Sequence, residues 1–162
     1  MTFISGADGP TAVFLVGKLG PGWLNLSGLI LVALLLVPNM VYAVKYRDAQ
    51  NRCTNKLMNG LEQIGRYGSM FLMIFNIGIA ELGFSSVSAF LIYGAGNIVL
   101  MAAYWILWWF FFKKPAPWNR MALAVLPTMM FLLSGATMRH YLLVAAGVVF
   151  GIGHGYVTWQ NR

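Results

Sequence analysis

The chain has 162 residues, 59% of them hydrophobic and 9% charged, with a formal net charge of +7. An ordinary soluble domain is about 45–50% apolar and about 25% charged, so this composition excludes one and implies an all-α polytopic membrane protein, whose spans each need about 20 apolar residues. The basic excess does not point to nucleic acid, because it flanks the apolar runs, where anionic lipid headgroups account for it.

Residues 1–22 stand apart from the bundle that follows. Ile4 to Lys18 reads ISGADGPTAVFLVGK. Gly9 is conformationally free, and Pro10 lacks an N–H and biases Gly9 toward extended backbone, so a helix is interrupted here. Asp8 then caps a short helix that begins near Pro10 and covers about Thr11 to Leu19, too short to cross a bilayer and suited to a re-entrant or interfacial segment on the outer side. With Asp8 present and no basic n-region before it, no cleaved secretory signal is expected.

This stretch resembles the membrane β subunit of the biotin-dependent sodium-pumping decarboxylases, in which a GGADGPTAIF-type sequence forms a broken helix. Gly6, Ala7, Asp8, Gly9, Pro10, Thr11, Ala12 and Phe14 match that pattern, while Ser5 and Val13 depart conservatively. The resemblance covers residues 4–14, and the family's subunit is far longer, so decarboxylase activity is not carried over. It implies a broken backbone whose freed carbonyls, with Asp8, coordinate a small cation, and sodium is that family's ion; Thr11 lies on the same route. No other cofactor is implied.

Five uncharged apolar runs follow: Trp23 to Val44, Ile64 or Tyr67 to Phe84, Ala89 to Phe112, Met121 to Met138 and Tyr141 to Trp159. Together, residues 23–162 are expected to form one five-helix transmembrane bundle, with Met138-Arg139-His140 as a tight turn between the last two spans. Lys45, Arg47, Arg52, Lys56, Lys113, Lys114, Arg120 and Arg162 fall on one side, Lys18 and Arg139 on the other. That asymmetry predicts an outside N-terminus and a cytoplasmic C-terminus in a bacterial inner membrane. Tyr104, Trp105, Trp108, Trp109 and Phe110 to Phe112 run into Lys113 and Lys114 as an interfacial belt and a basic anchor would, and Pro115-Ala116-Pro117 then enforces an extended turn.

Polar groups are costly in hydrocarbon, which makes those near the spans the functional candidates. Glu62, Arg66, Ser69, Met73 and Asn76 share one helix face, and Glu62 with Arg66 has the favourable order for an ion pair. Such a stripe either fixes the depth of the helix at the headgroups or lines a polar pathway. Glu81 is an interfacial carboxylate or a cation-attracting group at a pathway mouth. Asn39, near the end of the first span, and Asn97, within the third, are interhelical bonds or pathway ligands. Gly147, Gly151 and Gly155, with Gly153 between the last two, form a face for close helix packing.

His140 and His154 lie about 21 Å apart along one helix and cannot share a metal ion within it. Cys53, the one cysteine, allows no intramolecular disulfide and suits a reducing cytoplasm. No nucleophile motif, phosphate loop or metal-binding helix signature is present, so catalysis has no visible anchor.

The expectation is therefore a small transporter or channel for a cation or small solute, sodium- or proton-linked, that uses Asp8, Thr11, Asn76, Asn97, Glu81, Glu62 and Arg66 along its route. The alternative is an accessory or regulatory membrane subunit that packs through the Gly147, Gly151 and Gly155 face, against a second copy or within a larger complex. A membrane-embedded enzyme acting on a lipid, with His140, His154, Glu62 and Arg66 as its groups, ranks third. Convergence of Asp8, Asn76 and Asn97 on one cavity would favour transport. Scattered positions, each bonded to a neighbour, would favour an accessory role.

Overall fold

In the computed structural model the described residues are 23–47, 53–78 and 82–161. They form five helices: α1 Leu26–Lys45, α2 Lys56–Ile74, α3 Val87–Lys113, α4 Pro117–Thr137 and α5 Tyr141–Gln160. Four of these, α1, α3, α4 and α5, are long and apolar enough to cross a membrane. The Asp8 and Thr11 motif and Glu81 lie outside the described residues.

Local chemistry explains most helix starts. Asn25 caps α1 by accepting from the Gly28 N–H at 3.0 Å, and Asn55 caps α2 by accepting from Leu57 and Met58 at 3.1 and 3.2 Å. Ser86 does the same for α3 through Ala89. Pro117 opens α4 at a position where no N–H is needed, which moves that helix start ahead of the Met121 expected from hydropathy. The α4 to α5 turn is tight as expected: Arg139 takes a φ of 55°, and the His140 N–H donates to the Gly135 carbonyl at 2.7 Å.

The second element departs most from expectation. Its helix occupies Lys56–Ile74 rather than a span from Ile64 or Tyr67 to Phe84. Hydropathy treats Glu62 and Arg66 as a boundary, but the two pair along the helix and remain within it. Beyond Ile74 the backbone is extended and meets the segment before α1 in an isolated antiparallel bridge, Leu24 to Phe75. Asn25 N–H donates to Ile74 O at 2.7 Å, Asn76 N–H donates to Trp23 O at 2.8 Å, and the Trp23 and Phe75 rings stack at 5.6 Å.

The helices close a ring in which α5 sits between α2 and α4, α4 between α5 and α3, and α1 rests on α2 and α3. Leu35, Met73, Tyr104, Met130, Phe131, Leu143 and Phe150 fill its centre. The tightest contact is the antiparallel seam between α2 and α5, where Gly65 faces the Phe150 backbone and Gly153 faces that of Glu62. A Cβ on Gly153 would fall 2.5 Å from the Glu62 nitrogen, so only glycine permits this approach. The pairing directions gather Lys45, Lys56, Lys113, Lys114 and Arg120 at one end, hereafter the basic end.

The aromatic block of α3 divides by helical face. Tyr104, Trp108 and Phe111 are buried, whereas Trp105, Trp109 and Phe110 are exposed. Only the exposed half is placed to act as an interfacial belt; the buried half packs Tyr42 of α1, whose ring lies 5.5 Å from Trp108 and 5.8 Å from Phe111.

Candidate functional site

Glu62 lies on α2 where the seam with α5 is tightest, and it is buried at 6% exposure. A carboxylate in that position requires compensation, because an unpaired buried charge is strongly unfavourable. Two partners supply it. The Arg66 guanidinium, one turn along α2, contacts Glu62 Oε1, and His154 Nδ1, from α5, lies 2.9 Å from the same oxygen.

The geometry constrains the imidazole. Facing a carboxylate, Nδ1 carries a hydrogen and donates it, and Nε2 is the ring nitrogen turned away from Glu62. The ring stacks on Phe150 one turn earlier, at 4.8 Å and 13°, so its orientation is set by two contacts. With His154 neutral, Glu62 and Arg66 balance and the cluster carries no net charge. A proton on Nε2 makes it cationic. The Arg66 and His154 side chains are 33% and 21% exposed, against 7% for Glu62, so the two bases connect a buried acid to the surface.

Glu62 and His154 each lie six residues from the basic-end terminus of their helix, about 9 Å along the axis at 1.5 Å per residue. Farther along the inward face of α2, Ser69 is fully buried with no hydrogen-bond partner for its hydroxyl, and Met73 continues that face into the core. Glu62, Arg66, Ser69 and Met73 therefore follow one stripe. Asn76, expected to continue it, lies beyond the helix end in the extended segment; its side-chain Oδ1 is buried without a partner.

Asn97 occupies a different interface. Its Nδ2 donates to the Tyr93 carbonyl at 2.8 Å and lies 3.1 Å from Ser134 Oγ, whose hydroxyl is 3.3 Å from Asn97 Oδ1. This amide and hydroxyl join α3 to α4 and satisfy one another. Asn39 likewise bonds the Leu35 carbonyl and the Tyr104 hydroxyl, both at 2.8 Å, joining α1 to α3.

His140 is 1% exposed and caps α5 by accepting from the Leu143 N–H at 3.3 Å. Burial lowers its pKa below the ordinary 6.5, with the backbone of Phe75 and its own backbone opposing that shift. Of the glycine face, Gly147 packs on Leu132 and Phe131 and Gly151 on Thr128, all in α4. Gly155 meets nothing within 4 Å, and Gly153, on another side of α5, makes the contact with α2. The packing surface of α5 thus runs through Gly147, Gly151 and Gly153, because α5 lies between two helices rather than against one.

The sequence names Glu62, Arg66 and His154 together only in the third-ranked enzyme reading and gives no direct contact between Glu62 and His154. The available signal was the pair of glycines beside these groups, Gly65 next to the Glu62 and Arg66 pair and Gly153 next to His154, which mark where two backbones approach. Among the described residues no group of three or more histidine, cysteine or carboxylate side chains is arranged to hold a metal ion. Comparison with protein-family models, with curated proteins and with solved structures yields no match to this chain, so the Glu62, Arg66 and His154 cluster is interpreted from its own chemistry.

Proposed function

We propose that the chain is a small proton-linked membrane transporter or channel for a cation, with Glu62, Arg66 and His154 as its titratable centre. In this reading α2 joins the four apolar helices as a fifth crossing, the N-terminus is outside and the basic end faces the cytoplasm. One observation carries the proposal: a buried carboxylate is shared between a permanent cation on its own helix and a titratable ring on another. Ionisable groups at such depth are unfavourable unless paired, and in membrane proteins they mark ion and proton routes. A proton arriving at His154 Nε2 changes the charge at the α2 to α5 seam, and this is how pH would couple to movement of those helices. The N-terminal motif contributes sodium as the cation to test first.

The experiment is flux into proteoliposomes containing the purified protein, with sodium or another small cation inside or outside and an imposed pH gradient. Flux that depends on the gradient and falls about tenfold or more in Glu62→Gln, with the protein still folded, supports the proposal. No flux above empty liposomes at any pH from 5 to 8 would remove it.

A second reading is favoured by the Asn97 and Ser134 pair, which is satisfied locally and lies apart from Glu62. Polar groups that only join neighbouring helices suit an accessory subunit of a larger membrane complex. Recovery from native membranes with a stoichiometric partner, together with silent proteoliposomes, would select this reading.

A further inference from the structure

We propose that the basic end of the bundle holds one anionic phospholipid at the adjoining ends of α1 and α3, with Lys45 and Lys113 binding its phosphate. The two ammonium groups are placed by aromatic rings. Lys45 Nζ lies 5.3 Å from the centroid of Phe112 and 5.8 Å from that of Tyr46, and Lys113 Nζ lies 3.5 Å from that of Trp109. A cation over a ring face is held by the ring's charge distribution and keeps its N–H donors for another ligand. Both lysines also stand in the last turn of their helices, where the helix dipole favours positive charge.

No protein anion claims them among the described residues. The carboxylate in that set is Glu62, already engaged by Arg66 and His154. Arg120, at the same end, lies over Phe111 and is bonded to the Asn161 carbonyl at 2.7 Å. Among the described residues Lys45 and Lys113 thus remain as a pair of positioned donors without an acceptor.

The occupant follows from what adjoins Lys45. Met40, Val41 and Val44 form with Lys45 an open hollow on the outer face of α1, and these three apolar side chains are exposed. An apolar track ending at a cation matches an acyl chain lying along a helix beneath a phosphate headgroup. Free phosphate would use the lysines and leave the track uncovered. A phospholipid uses both. The proposal is independent of the transport reading, because it involves none of the residues of the Glu62 cluster.

The test is lipid retention by native mass spectrometry, paired with thermal unfolding in detergent containing phosphatidylglycerol, phosphatidylcholine or inorganic phosphate. The wild-type chain is expected to retain one phosphatidylglycerol and to be stabilised by it more than by phosphatidylcholine. The double variant Lys45→Gln, Lys113→Gln should bind it about tenfold or more weakly. The control Lys56→Gln, Lys114→Gln removes the same charge from residues that contact no ring among the described residues and should keep wild-type retention. Equal loss in both double variants would reduce the effect to general surface charge and overturn the site. Equal stabilisation by inorganic phosphate would overturn the lipid as its occupant.

Discussion

The α2 to α5 seam and the α1 to α3 contact solve the same problem in different ways. In lipid, apolar side chains gain little by touching one another, because the surrounding tails are equally apolar, so helices adhere through close backbone approach or through polar bonds. The seam uses the first method: Gly65 and Gly153 bring two backbones together, and the ionic cluster closes over that approach. The α1 to α3 contact uses the second, through Asn39 to Tyr104 and Ser27 to Tyr93 hydrogen bonds, while Leu29, Ile30, Leu34, Val37 and Val41 of α1 stay exposed. Backbone approach tolerates no added atom. Polar contacts can lose one bond and keep their geometry.

The largest effect should therefore come from one methyl group in the seam. Gly153→Ala places a Cβ against the Glu62 nitrogen and is expected to cost about 2–3 kcal/mol in a detergent unfolding assay, as overpacking of a closed interface does. A variant as stable as wild type would show that the seam can open freely.

Next in size is an acid dependence at the far end of the same seam, where His140 is buried. Its folded pKa is below 6.5, so as pH falls through 6.5 the unfolded chain takes up the proton first and stability declines. Above that pH the term vanishes. His140→Asn keeps a capping acceptor and should flatten the curve between pH 7 and 5; an unchanged difference between pH 7 and 5 would mean the ring is accessible to protons when folded.

On the other side of the comparison, Tyr104→Phe removes the hydroxyl that meets Asn39, yet Asn39 keeps its 2.8 Å bond to the Leu35 carbonyl. The expected loss is about 0.6 kcal/mol and no more than about 1.7, typical of a single interhelical bond in membranes. A loss as large as that of Gly153→Ala would mean the contrast drawn between the two contacts is wrong. Gly155→Ala should have the smallest effect and the opposite sign. With open space at that position, alanine is expected to stabilise by about 0.5–1 kcal/mol through helix propensity, and a measurable loss would place an unrecognised neighbour there.

Helical class and most helix limits were legible because hydropathy and capping residues act locally. Ala89 to Phe112 became Val87–Lys113, and Tyr141 to Trp159 became Tyr141–Gln160. The second element was misplaced because one-dimensional hydropathy counts Glu62 and Arg66 as charges, while the folded chain presents them as a pair with a third partner 92 residues away. That partner was hidden for the same reason. A lone histidine in an apolar run looks the same whether or not an acid from another helix reaches it, and only the neighbouring glycines hinted that one could. The Asn97 contact takes one of the two forms the sequence leaves open, an interhelical bond, and nothing in the sequence singles out Ser134 as its partner.

The bridge between Leu24 and Phe75 is drawn by main-chain atoms, the Asn25 and Asn76 N–H groups donating to the Ile74 and Trp23 carbonyls, and the stacked Trp23 and Phe75 rings cover it. Its two hydrogen bonds depend on main-chain donors, which proline at Asn25 or Asn76 would remove, whereas loss of the Trp23 or Phe75 ring would remove only the stack. The start of α1 and the end of α2 are accordingly fastened twice, once through the backbone and once through a pair of rings.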